Sequence, residues 1–209
     1  MSYLRILLLF CVMSYSFTGC MFLSSFQGPY GLPKGETSLG FGASGVGATN
    51  SEDSGAAFGL PEVQIQHGVS DRFQLGARAG IGVLGLDAKY QFLKRNKLAV
   101  AAGATGSFSL ASLDFSEAQG ESYAFGTFVP YLTAGTPRLW AGIRGFTFYG
   151  GKVDDVNTAN LGPGIFLGGE LGKGKIRFIP ELAIHAVDGD SGSEAVTTFG
   201  ILMRYKLGR

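Results

Sequence analysis

One histidine of the chain stands among acidic residues that could assist it in chemistry. The group consists of His185, the following Asp188 and Asp190, and the earlier pair Asp154 and Asp155. A histidine held by a carboxylate can act as a general base in hydrolysis. The acids after the histidine could also offer oxygens to calcium, but they lack the full loop spacing and flanking helices of such a site. A solvated loop is therefore the favoured interpretation.

Other signatures of catalysis or cofactor binding are incomplete. Residues 40–47 are rich in glycine, but neither a Gly-Lys-Ser/Thr sequence nor a helix pattern follows, as a phosphate-binding loop requires. No Gly-x-Ser-x-Gly sequence precedes a helix pattern, and His67 stands alone near an expected strand end. We therefore expect no enzyme activity, no metal site and no cofactor.

Residues 1–19 have the order of a secretory signal peptide, with Arg5, an apolar run and a small-residue ending. The ending Thr18-Gly19-Cys20 resembles a bacterial lipobox, and this resemblance implies that Cys20 is acylated on its sulfur after cleavage. The other cysteine, Cys11, lies in the expected leader, so the mature chain can form no internal disulfide. We expect a lipoprotein signal peptide over 1–19 and a tether over 20–35. A plain signal peptide with a chance cysteine is the alternative.

Composition disfavours two classes of protein. Lys and Arg total 17 against 16 for Asp and Glu, so the net charge creates no field that would attract nucleic acid. Glycine supplies 34 of the 209 residues, and each glycine inside a helix costs about 1 kcal/mol relative to alanine. The chain is expected to be neither a nucleic-acid-binding protein nor a helical bundle.

Most of the chain alternates apolar with small or polar residues, which is the period of a β-strand. In 72–83, for example, Phe73 and Leu75 share one face while Gln74 and Arg78 share the other. No helix-period segment interrupts the pattern, so we expect an all-β, antiparallel, up-and-down meander. The alternation predicts ten strands, with eight as the alternative, at 36–44, 61–69, 72–82, 84–94, 97–109, 121–133, 137–149, 161–172, 175–187 and 195–207.

The expected connections alternate between short and long. Tight turns near residues 70, 95, 135 and 173 alternate with longer connections at 45–60, 110–120, 150–160 and 188–194. Short turns on one side, long loops on the other, an even strand number and an apolar exterior are typical of transmembrane β-barrels. We expect the barrel domain over 36–209, and over roughly residues 35–207 the chain resembles the broad class of small bacterial outer-membrane β-barrel proteins, without matching one named family.

The strand faces opposite the apolar stripes carry charges of both signs between glycines. In a membrane barrel these faces line the lumen, where charges require partners. Aromatic residues near the strand ends, such as Tyr90, Tyr131 and Tyr205, are predicted to form girdles that face the membrane interface. We predict a lumenal ion-pair network formed by Glu62, Arg72, Arg78, Asp87, Lys89, Arg144, Glu170, Arg177, Glu181 and Arg204.

Several functions fit this architecture. The leading hypothesis is a non-enzymatic outer-membrane lipoprotein with a structural or surface-binding role, whose lipid anchor lies on the periplasmic side. Its expected partners are outer-membrane lipid, the barrel-insertion and lipoprotein-processing machineries, and a surface ligand held by the outer loops. The alternatives are a narrow, porin-like channel, a hydrolase resembling omptin-type proteases through His185, and a soluble lipocalin-like barrel tethered by a lipid.

Overall fold

The computed structural model describes residues 24–49, 54–80, 82–112, 122–152, 155–189 and 192–207. Each strand pairs antiparallel with its neighbour along the chain, and the first pairs with the last to close a barrel. The predicted all-β, up-and-down barrel of ten strands is confirmed, and the eight-strand alternative is wrong. The strands are β1 (Thr37–Thr49), β2 (Ser54–Gly68), β3 (Phe73–Gly80), β4 (Val83–Arg95), β5 (Leu98–Ser112), β6 (Ser122–Gly135), β7 (Leu139–Lys152), β8 (Asp155–Gly169), β9 (Ile176–Gly189) and β10 (Gly192–Lys206).

Several strands run further than the alternation predicted. β2 begins at Ser54 rather than 61, and β7 and β8 continue until Lys152 pairs with Asp155. The predicted long connections at 45–60, 150–160 and 188–194 are therefore largely strand. Polar and glycine-rich residues dominate these ends, and a backbone ladder can continue through them because its hydrogen bonds do not require apolar side chains.

The two faces of the barrel wall differ sharply in polarity. Leu86 is 68% exposed and Ile165 is 65% exposed on the outer face, whereas Asp87 and Arg144 on the inner face are almost fully buried. A soluble barrel has the reverse arrangement, with an apolar interior and a polar surface. The polarity is that of a transmembrane β-barrel, and the soluble, lipocalin-like alternative is wrong.

The two ends of the barrel also differ. One end carries short connections, at 69–72, 96–97, 136–138 and 170–175, and we call it the turn rim. Between β4 and β5 the chain reverses through Asn96 in the left-handed region, with φ of 52°, a conformation that asparagine tolerates well. The opposite end is the loop rim. In outer-membrane barrels the end with short turns faces the periplasm. Among the described residues, no helix is long and apolar enough to cross a membrane.

A charge on the outer face tests whether that face lies in lipid. Ile143 is 56% exposed and pairs with Leu132 and Ile165. It lies four residues from the start of β7, roughly 10 Å above the turn rim, near the middle of an apolar band about 25 Å tall. We expect Ile143→Arg to lower the free energy of unfolding in phospholipid bilayers by about 2–4 kcal/mol. Urea unfolding with Ile143→Leu as the control measures it, and a neutral Ile143→Arg would place this face in water.

Candidate functional site

The most distinctive site of the molecule is its filled lumen. Residues 24–32, which we call the plug, lie inside the barrel, and the chain then turns at the turn rim into β1. Ser24, Phe26 and Leu32 are buried there. Gly35, three residues beyond the plug, donates its N–H to the carbonyl of Gly68 at 2.7 Å. We expected a tether over 20–35; the structure instead places its described part largely within the lumen.

Glu181 of β9 fixes the first residues of the plug. Its carboxylate accepts the backbone N–H groups of Ser25 at 3.0 Å and Phe26 at 2.8 Å, and the Ser25 hydroxyl at 3.1 Å. The same carboxylate pairs with Arg144 of β7 at 2.6 Å. One acidic residue therefore satisfies two buried backbone donors of the plug, which would otherwise be costly to bury, and also neutralises a buried arginine.

The opposite wall, formed by β3 and β4, binds plug carbonyls. Arg78 donates one N–H to the carbonyl of Ser24 at 2.7 Å and also pairs with Glu62 at 2.6 Å. Lys89 donates to the carbonyls of Gly28 and Tyr30, each at 3.0 Å. Because β9 binds N–H groups of the plug while β3 and β4 bind its carbonyls, the plug bridges the two sides of the lumen.

Two glutamine side chains form further hydrogen bonds between the plug and the wall, closer to the turn rim. Gln27 of the plug donates to the carboxylate of Asp87 at 2.9 Å. Gln74 of β3 accepts the backbone N–H of Leu32 at 3.0 Å. These contacts place wall acceptors along the descending part of the plug as well as at its start.

Phe26 is held in an unusual backbone conformation. Its φ is 51°, in the left-handed region, which costs a residue with a Cβ roughly 1–2 kcal/mol. Its N–H is bound by Glu181, its carbonyl accepts a hydrogen bond from Arg204 at 3.2 Å, and its ring lies 5.9 Å from the guanidinium carbon of Arg78. The surrounding contacts thus determine this conformation, as strained residues require.

Two glycines let the plug approach the wall. A Cβ on Gly200 of β10 would lie 2.6 Å from the Ser24 hydroxyl oxygen and 2.7 Å from the Phe26 ring. A Cβ on Gly28 of the plug would lie 3.2 Å from the ring of Trp140. Side chains at these positions would push the plug away from its present place.

His185 lies buried in the lumen, with Nε2 3.1 Å from the Arg144 Nε that donates to it. Arg144 also donates to the Thr198 hydroxyl at 2.6 Å, and the Phe146 ring meets the imidazole edge to face. The structure does not describe the side chains of Asp154, Asp155, Asp188 and Asp190. The hydrolytic pairing of one of them with His185 therefore stays a prediction. In the described ranges, no group of potential ligands could hold a metal ion.

The predicted lumenal charges divide between the lumen and the turn rim. Glu170 stands 3.6 Å from Arg177 and 3.8 Å from Arg204, with its side chain partly exposed, and Arg72 is fully on the surface. Arg72 therefore lies outside the lumen, and Arg177 lies partly exposed at the turn rim, because each stands beside a turn where the wall ends. Buried in the lumen are Glu62, Arg78, Asp87, Lys89, Arg144, Glu181 and Arg204.

Sequence reasoning assigned one girdle residue to the wrong face. Tyr131 was expected to face the membrane interface, but it is buried in the lumen between the inward-facing Val129 and Thr133 of β6. The phenol fits there because Gly103, its pairing partner on β5, has no side chain. Tyr90 and Tyr205 do lie exposed on the outer face.

The chain shows distant structural likeness to several solved structures. No protein-family model and no curated protein matches the chain. Neisserial surface protein A is 11% identical, with 82% of this chain and 97% of that chain covered at a TM-score of 0.33. The outer membrane protease OmpT from Escherichia coli is 10% identical, with 82% and 95% covered at 0.35. The translocator domain of the autotransporter NalP from Neisseria meningitidis is 8% identical, with 83% and 89% covered at 0.40. Likeness at these scores supports no assignment of function. The assignment to the transmembrane β-barrels rests on the closed topology and on the polarity of the two faces of the wall.

The double role of Glu181 predicts a large stability effect. We expect Glu181→Ala to lower the free energy of unfolding by about 3–5 kcal/mol, because it leaves Arg144 as an uncompensated buried charge. Glu170→Ala is the matched control: its pairs are long and partly exposed, so we expect a loss below about 1 kcal/mol. Urea titrations followed by Trp140 fluorescence in phospholipid compare the two. Equal losses would contradict the assigned role of Glu181.

Proposed function

We propose that the protein is a closed, non-enzymatic β-barrel lipoprotein of the bacterial outer membrane with a structural or surface-binding role. The observation that supports this proposal is the plug. It occupies the lumen and is bound by Glu181 on one wall and by Arg78 and Lys89 on the other. A barrel filled in this way offers its surfaces, rather than its interior, to other molecules.

Barrel size supports the same conclusion. Eight strands enclose a lumen that side chains just fill, and ten strands add only a little width. Here that added width is taken by the plug backbone, by Phe26 and by the paired Arg144 and Glu181. An open pore would need a continuous hydrated path past these groups, so we expect no stable conductance from the intact protein.

The loop rim is the surface that we propose for partner binding. β5 continues to Ser112 and β8 begins at Asp155, so the connections on this side stand on long strand pairs. On the other part of the wall β3 ends at Gly80, close to the start of β4 at Val83, and the wall there is lower. An uneven rim with long strand stems is well suited to hold a ligand against one side.

A narrow, gated pore is the second candidate. Besides the apolar packing of Phe26, the plug is bound by hydrogen bonds and charges, such as those from Lys89, Asp87 and Gln74. Water can replace such polar contacts when the lumen opens, so they do not by themselves prevent release of the plug.

Conductance distinguishes the two candidates. In planar bilayers we expect no stable current steps from the wild type. We expect steps from a variant lacking residues 24–32 and from Gly200→Val, whose side chain would collide with Ser24 and Phe26. Gly106→Val is the matched control, because a Cβ there would meet nothing closer than 3.9 Å. Stable steps from the wild type would overturn the closed barrel in favour of a pore.

Lipid attachment at Cys20 forms part of the proposal and is tested separately, because that residue lies outside the described part. The lipobox-like ending supports lipid attachment. The burial of Ser24 inside the lumen weakens the expectation that the anchor lies on the periplasmic side. We expect cells to incorporate radiolabelled palmitate into the wild type and not into Cys20→Ser. Equal labelling of both would contradict lipid attachment at Cys20, and the proposal of a closed barrel would be unaffected.

A further inference from the structure

The near-zero net charge of the chain conceals an uneven distribution of charge. In the sequence, residues 50–53, 113–121, 152–155 and 188–194, which contain or adjoin the connections from β1 to β2, β5 to β6, β7 to β8 and β9 to β10, include ten acidic residues and one lysine. The turn rim contains three acidic residues, Glu36, Asp71 and Glu170, against ten basic ones, which gives it a net charge of +7. We call the basic residues the basic collar: Lys34, Arg72, Lys94, Arg95, Lys97, Arg138, Lys173, Lys175, Arg177 and Lys206.

The basic collar stands directly at the edge of the apolar outer face. Exposed apolar residues flank its members along the chain: Leu93 precedes Lys94, Leu98 follows Lys97, Leu139 follows Arg138, Ile176 follows Lys175, and Tyr205 and Leu207 enclose Lys206. Long basic side chains can lay their aliphatic stems on such apolar surface and extend the charge toward water. The charges therefore lie at the depth where phospholipid headgroups meet the hydrocarbon.

The distribution of the collar around the barrel identifies the kind of partner. Its members come from all four short turns and from the adjoining ends of β1 and β10, so they surround the barrel instead of forming a patch on one side. A docked protein would contact one sector. A lipid leaflet meets the whole circumference, as this arrangement requires.

Most of the collar is available for an external anion. Arg177 is engaged by Glu170 and by the carbonyls of Gly172 and Gly174, and the Lys94 ammonium lies 5.8 Å from the Tyr30 ring. Within the described ranges, no carboxylate forms an ion pair with the exposed Lys97, Arg138, Lys173 or Lys175. The described part of the chain therefore leaves their charge without a neutralising carboxylate.

We propose that the basic collar binds the phosphate headgroups of anionic phospholipids in the leaflet that meets the turn rim. Lysine and arginine donate to phosphate oxygens, and basic residues next to a membrane are attracted to anionic lipid over a distance limited by the Debye length. The bound lipids form an annulus that fixes the depth of the barrel. This inference rests on the membrane-spanning architecture and does not depend on whether the lumen conducts.

Lipid selectivity tests the proposal. Full-length protein is reconstituted in phosphatidylcholine bilayers at low salt with trace spin-labelled phosphatidylglycerol or spin-labelled phosphatidylcholine, and the motionally restricted fraction of each label is measured. We expect a several-fold preference for phosphatidylglycerol that declines as salt is raised. In a variant with Lys94, Arg95, Lys97, Arg138, Lys173 and Lys175 replaced by glutamine, we expect the preference to fall close to one.

The control exchanges lysine and arginine at the same six positions, which keeps every charge and should retain the preference. A heat-modifiable band on unheated gels shows that each variant is folded before its lipid contacts are measured. An unchanged preference in the glutamine variant would overturn the proposal, as would a wild type without preference. Salt-sensitive binding of peptidoglycan fragments by such a wild type would instead assign the collar to the cell wall.

Discussion

In hydrocarbon, every backbone N–H and C=O must find its partner within the protein, since an unsatisfied group costs several kcal/mol. The pairing of β1 with β10, which runs from Ser38 opposite Lys206 to Ala48 opposite Val196, meets this requirement by removing both free edges. Closure then dictates the rest of the wall. Residues of alternate parity face either lipid or the lumen, so the exterior must be apolar and the interior must accommodate whatever polar groups remain.

Polar side chains of the lumen form hydrogen bonds with the plug as well as with neighbouring strands. Glu181 binds plug N–H groups and Arg144 together, while Arg78 binds a plug carbonyl and Glu62 together. Glu181 and Arg78 thus each have an ionic partner on the wall and a backbone partner in the plug. The plug supplies three of the hydrogen bonds that Glu181 accepts and the carbonyl of Ser24 that Arg78 binds, so in the closed lumen these buried groups find partners within the protein, as the backbone of the wall does.

The alternation could be recognised in the sequence only where two environments act on neighbouring residues. In β3 and β4, lipid selects Leu75 and Leu86 while the lumen selects Gln74 and Asp87, so the period is plain. The first residues of β2, at 54–60, show no such contrast, and their strand was missed. The plug was missed because its links to the wall are largely made by backbone groups, which no side-chain pattern reveals. Its Gly-Pro and Leu-Pro pairs indicated only that it forms no regular element.

The buried charges are better understood as determinants of register than as sources of stability. Exchanging a buried ion pair for apolar side chains of similar size is often neutral or stabilising, so an apolar lumen would hold a barrel equally well. It would, however, make the two faces of each strand alike. With Glu62 and Arg78 on the inner face, a slip of one residue between β2 and β3 would turn charged side chains into lipid. The lumenal charges therefore exclude alternative pairings that backbone hydrogen bonding alone would permit.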